Sequence, residues 1–159
     1  MSGESGGATV FATPQDLIGS EGTTLGPSEW VTIDQERIQA FADATGDQQW
    51  IHTDPARAAT GPFGATIAHG YLTLSLTAAF VFELLQVEGT QNVINYGADK
   101  LRFLQPVIVG SRVRAVGEIT SAVAGAGGVR LGYRLTVEIE GSERPALVVD
   151  TITLFVPAA

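Results

Sequence analysis

Between residues 70 and about 86 the chain reads GYLTLSLTAAFVFELLQ, which is apolar on nearly every side of a helical projection. A surface helix shows one apolar stripe, so a helix with no polar face must be covered on most sides. In a chain of 159 residues such a helix is unusual unless something wraps it. The downstream half of the chain can do so. Residues 93–104, 112–122, 129–140 and 147–156 read as strands, and the last two alternate well. Leu131, Tyr133, Leu135, Val137 and Ile139 share one face, with Arg130, Arg134, Thr136 and Glu138 on the other.

Pro106 and Gly110 break the first pair of strands, the glycines at 125, 127 and 128 the second, and residues 141–145 the third. One buried helix and then a run of long antiparallel strands is an α+β layer pattern. A long curved antiparallel sheet wrapped around one buried central helix is the hot-dog arrangement. Upstream, residues 14–18 form a short helix and 30–33 a strand. Asp34 then caps an amphipathic helix over 35–44, with Ile38, Phe41 and Ala42 on one face and Gly46 at its end. Asp54-Pro55 starts a single turn over 55–59. Residues 1–12, rich in Gly and Ser, are expected to be a mobile tail, and 13–159 one domain.

Composition excludes several classes of function. The net charge of −8, from nine basic and seventeen acidic residues, leaves no basic stripe for nucleic acid. One phosphate needs only two or three cations, for which Arg102, Arg112 and Arg114 are candidates. With no cysteine there is no disulfide, thiolate nucleophile or zinc–cysteine site. The N-terminus lacks the basic start and apolar core of a signal peptide. The most apolar stretch, 71–85, falls short of the roughly 20 residues a bilayer requires. A soluble, cytoplasmic protein with no membrane partner is expected. Gly125-Ala126-Gly127-Gly128 lies between strands and reads as a hairpin, not a phosphate loop.

The chain has two histidines, His52 and His69, both in the irregular region flanking the apolar helix. Asp47 precedes His52 by five residues. A carboxylate and an imidazole brought to one spot can share the proton transfers of hydration, one activating water, the other positioning it or returning a proton. His69 reads as a structural residue that caps or bridges the turn into the helix. Asp47, His52, Asp54 and His69 offer ligand types, but no metal-binding spacing joins them, so no metal is expected.

The run from Phe41 through Ala-Asp-Ala-Thr-Gly-Asp47-Gln-Gln-Trp-Ile-His52-Thr-Asp-Pro55 closely resembles the hydratase signature of the MaoC-like dehydratases. Ala58-Ala59, Gly61-Pro-Phe-Gly64 and Ile67-Ala-His-Gly70 extend the likeness. A second block resembles the strand after the helix in that family: Asn95-Tyr-Gly, Lys100-Leu-Arg-Phe-Leu-Gln-Pro-Val107 and Val109-Gly-Ser-Arg-Val113. The resemblance covers roughly residues 28–156. It implies an (R)-specific 2-enoyl-CoA hydratase, acting reversibly on a thioester of CoA or acyl-carrier protein, with no bound cofactor. It also implies a homodimer with a continuous sheet. The family's catalytic pair falls on Asp47 and His52, and its backbone oxyanion donor on Gly70. Asn95 could line the acyl tunnel and Arg102 could meet a CoA phosphate. Where many members carry Asn-Pro this chain has Gln49-Trp50, and a serine of some members matches Ala78. Two alternatives stay open: an acyl-CoA thioesterase of the same fold, and a non-catalytic subunit of a hetero-dimeric dehydratase.

Overall fold

Capping chemistry sets the limits of the helices. In a computed structural model, which describes residues 6–159, the elements in chain order are β1 (Thr9–Phe11), a 3-10 turn (Pro14–Leu17), β2 (Thr24–Leu25) and β3 (Val31–Thr32); next are α1 (Gln35–Thr45), α2 (Trp50–Thr53), α3 (Pro55–Ala58) and α4 (Gly70–Leu84); then come β4 (Leu85–Val87), β5 (Thr90–Phe103), β6 (Arg112–Gly125), β7 (Gly128–Ile139) and β8 (Leu147–Pro157). The Asp34 side chain accepts from the Arg37 N–H at the start of α1, and Gly46 ends it in the left-handed region at φ 83°. Glycine takes that conformation without a Cβ penalty, and the chain leaves the helix sharply at Asp47.

The long strands form one antiparallel sheet in the order β2-β6-β7-β8-β5, with β3 also on β6. The inner residues of β7, from Val129 through Leu131, Tyr133 and Leu135 to Val137, are all buried. They pack with Leu72, Phe80, Val81 and Leu84 of α4 in one core. This is the α+β arrangement expected from the strand periodicity. Among the described residues, no helix is long and apolar enough to cross a membrane.

Three expectations need correction. Thr9–Phe11, assigned by composition to a mobile tail, instead pairs in parallel with β4, so part of that stretch is ordered; residues 1–5 lie outside the described residues. The apolar helix stops at Leu84, where the chain turns directly into β4. Helix α4 is also not covered all round, because Tyr71 and Phe82 are 67% and 60% exposed. The sheet covers one face only. β5, the strand at the end of that sheet, has no second strand partner among the described residues and carries exposed Ile94, Tyr96 and Phe103.

Candidate active site

Each element near the start of α4 is fixed by backbone bonds, and the side chains that matter hang from it. Residues 66–68 run extended beside 107–109: the Ala68 N–H donates to Val107 O (2.8 Å) and the Val109 N–H to Thr66 O (2.9 Å). The short helix α2 joins this strip through the Ile67 N–H, which donates to Ile51 O (3.0 Å). Gln35 of α1 donates to His52 O (2.7 Å). His52 is thus held between α1 and the 66–68 strip, with its ring buried.

Hydrogen bonding assigns the ring protons. His52 Nδ1 lies 2.7 Å from Ile67 O. A carbonyl only accepts, so Nδ1 carries the proton and Nε2 of the neutral ring presents a lone pair. His69 has the opposite tautomer. Its Nε2 donates to Asp47 O (3.0 Å), which leaves Nδ1 as the acceptor. That Nδ1 is buried without a partner among the described residues, a state that costs about 1–3 kcal/mol. The two rings stack, with centroids 3.8 Å apart and planes 22° apart. Burial, first of all, pushes the His52 pKa down, and the like charge of His69 adds to this; the Ile67 carbonyl and the Asp47 carboxylate oppose it. Near neutral pH His52 is therefore an uncharged imidazole.

Asp47 stands exposed just beyond Gly46, and its carboxylate accepts from the Gln49 N–H (3.3 Å). Side-chain ligand atoms of Asp47, His52 and His69 all lie within 4.8 Å of one another. A shared metal is poorly served by this cluster. Two ring nitrogens are spent on carbonyls, and the remaining lone pairs lie on stacked rings, so an ion in the plane of one ring misses the plane of the other.

Next to His52 opens a cleft of about 390 Å³, lined by Ile67, Gly70, Thr73, Phe103 and Val107 among others. Asp47 is not part of its wall. Gly70 begins α4, and no backbone acceptor takes its N–H. A Cβ at Gly70 would meet the Phe103 ring at 3.1–3.2 Å, so glycine leaves the helix start open beneath that ring without displacing it. Thr73 and Phe103, which are not among the candidates drawn from sequence, belong to this cleft. The signal for Thr73 was its place one turn after Gly70.

Asp47, His52 and Gly70 thus come together, whereas Asn95 and Arg102 do not join them within the chain. Asn95 lines a separate cleft of about 350 Å³ between α4 and β5, with Thr77, Tyr133 and Thr151. Arg102 is exposed, and its guanidinium donates to Leu101 O (2.7 Å). The other two phosphate candidates, Arg112 and Arg114, each pair with a glutamate at 2.8 Å, Glu140 and Glu138 respectively, beside the Trp30 ring.

Comparison with known proteins identifies the family. The family described as MaoC like domain matches residues 18–140. The 3-hydroxyacyl-thioester dehydratase Z of Mycobacterium tuberculosis is 49% identical over 148 residues, 92% of this chain and 98% of that protein. The (R)-specific enoyl-CoA hydratase of Aeromonas caviae is 37% identical over 84 residues, 53% of this chain and 60% of that protein. The solved structure of the (R)-hydratase from A. caviae involved in PHA biosynthesis aligns with a TM-score of 0.69 at 25% identity, covering 85% of this chain and 96% of that one. The chain belongs to the MaoC-like dehydratase family and has its hot-dog fold.

Proposed function

We propose that the protein is an (R)-specific hydratase of 2-enoyl thioesters, running reversibly as a 3-hydroxyacyl-thioester dehydratase, with Asp47 and His52 as its acid–base pair. The observation that carries this is a cleft lined by both the neutral His52 imidazole and the Gly70 helix start, with the Asp47 carboxylate within 4.8 Å of that imidazole outside the cleft wall. Water sits between the Asp47 carboxylate and His52 Nε2, whose lone pair accepts one of its hydrogens and aims its oxygen at the β-carbon. Asp47 takes a proton as the C–O bond forms. The electron pair moves to the thioester oxygen, where the Gly70 N–H at the positive end of α4 holds the enolate. The pair then returns the proton to the α-carbon, so water is added with no redox change.

The uncovered face of α4 and the free edge of β5 support a homodimer, since a long unpaired edge with exposed Ile94, Tyr96 and Phe103 is a template for a second strand. Asn95 and Arg102 lie on that strand and would then face the seam, where a CoA or acyl-carrier thioester could meet them. The reading includes a cytoplasmic location, where such thioesters are made and used.

Incubation with crotonyl-CoA tests the reading. Loss of the enoyl-thioester absorbance without release of free thiol is expected; thiol release would identify a thioesterase instead. The site carries two more expectations. Gly70→Ala keeps the N–H but sets a methyl group beside its approach, and is expected to lower kcat/KM by roughly 10- to 100-fold, up to the scale of a lost oxyanion donor. The melting temperature should barely move, since the 47%-exposed Phe103 ring can yield. A kcat/KM within twofold of wild type would show that substrate does not approach the α4 start closely enough to need glycine there. Because His52 works as the neutral ring and its pKa is depressed, kcat/KM should hold as pH falls through 6.5 and drop only below it. An acid limb centred above 6.5 would contradict the assigned tautomer and burial.

A further inference from the structure

His69 is the most buried group of the cluster, at 2% exposure, and the mechanism gives it no proton to move. Its main chain is anchored at the start of α4, where His69 O accepts from the Leu72 and Thr73 N–H groups at 3.0 and 3.2 Å. Its ring lies between two others, Phe41 with centroids 4.9 Å away and His52 at 3.8 Å. The next residue, Gln48, is tied to α1 by its side chain, which donates to Asp43 Oδ1 (2.7 Å), but Asp47 itself is held less firmly. Its local bonds, Asp47 N–H to Thr45 Oγ1 and Gln49 N–H to Asp47 Oδ1, are long at 3.4 and 3.3 Å. Among the described residues, the bond from His69 Nε2 is the one that ties Asp47 to a distant part of the chain, 22 residues on.

We infer that His69 is a positioning residue: its Nε2–H fixes the main chain of Asp47, and its ring face fixes His52. Together these two contacts set the separation of carboxylate and imidazole. Packing alone does not explain a histidine here. Among the described residues its buried Nδ1 has no partner, so a phenyl ring would fill the same slot without an orphaned acceptor. The polar ring keeps a feature that costs stability, and what it gains is the tie to Asp47. Loss of such a tie misplaces a reacting group by a fraction of an ångström to an ångström, which lowers turnover far more than binding.

The inference rests on the hydratase reading for its kinetic test but not for its spectroscopic one. His69→Phe keeps the stack and removes the donor; His69→Gln keeps a donor and removes the stack. Each is expected to lower kcat on crotonyl-CoA by roughly 10- to 100-fold with KM within about threefold. The melting temperature of His69→Phe should stay near that of wild type. With only two histidines in the chain, 15N-detected imidazole spectra are readily assigned. Wild type should show one ring protonated at Nδ1 and one at Nε2. In both variants His52 should titrate at a higher pH, because the neighbouring imidazole is gone, and in His69→Gln, where the ring face that holds it is also lost, its signal at the Ile67-bonded Nδ1 should broaden or shift. Wild-type kcat in both folded variants would overturn the inference. Should the wild-type protein hydrate no enoyl thioester, the hydratase reading falls by itself. The spectra then decide the inference: His52 signals and titration unchanged in both variants would overturn it.

Discussion

Replacing Asp47 by asparagine is expected to leave a folded protein whose kcat for enoyl-thioester hydration is lower by about 10²–10⁴-fold, the usual contribution of a general base. The substitution is nearly isosteric, and Asp47 is exposed with only the Gln49 N–H on its carboxylate, an interaction that an amide oxygen can keep. Stability should therefore be unchanged in a thermal melt. Losing the charge also removes the one carboxylate in the cluster that favours protonated His52, so the His52 titration should move to lower pH. A folded Asp47→Asn protein with near-normal turnover would remove Asp47 from the chemistry.

The second large effect is expected at His52, with a different signature. His52→Ala should lower kcat by about 10²–10⁴-fold as well, since the water loses its orienting lone pair. Here the fold also suffers. His52 is 6% exposed, and without its ring the Ile67 carbonyl loses its donor and His69 loses its stacking partner. An unpaired buried group costs about 1–3 kcal/mol, which in a domain of this size lowers the melting temperature by roughly 2–4 °C per kcal/mol. Combining Asp47→Asn with His52→Ala should cost little more turnover than either alone, because the two act on one water and one proton. Fully multiplicative losses, measured on the folded double variant, would show that the residues act independently.

Much of the fold is legible in the sequence, for physical reasons that differ by element. The Asp34 cap, the 3.6-residue repeat through Ile38 and Ala42 and the left-handed Gly46 are local, so α1 is legible almost to the residue. Strands β6, β7 and β8 are legible because one face of each meets the core while the other is more exposed, and β7 alternates through most of its length; β5 has no buried residue and is legible from its extended run between breakers. Strands β1, β2 and β4 are not, since two or three residues hold too little periodicity and depend on distant partners such as Glu118 and Leu85. The exposed flank of α4 is not legible either. An all-round apolar helix states that it will be covered, not by what.

The site divides in the same way. Asp47 and His52 lie five residues apart just after a helix stop, so their meeting is visible in the sequence. The part His69 plays depends on a tertiary stack and on which ring nitrogen meets a carbonyl, and neither leaves a trace in spacing. Asn95 and Arg102 are grouped with the site by resemblance, yet β5 carries register shifts at Asn95/Gly97 and Asp99/Arg102. Such irregularities change which face a side chain takes, and alternation along the strand cannot reveal them.

The central claim, that this chain adds water to an enoyl thioester on the hot-dog scaffold, is tested most directly by the configuration of the product. Purified protein and crotonyl-CoA should give a 3-hydroxybutyryl thioester, detected as loss of enoyl absorbance. That product should support an (R)-specific 3-hydroxyacyl-CoA dehydrogenase and give no signal with an (S)-specific one. A strong (S) signal, or an enoyl absorbance that never falls, would contradict the account.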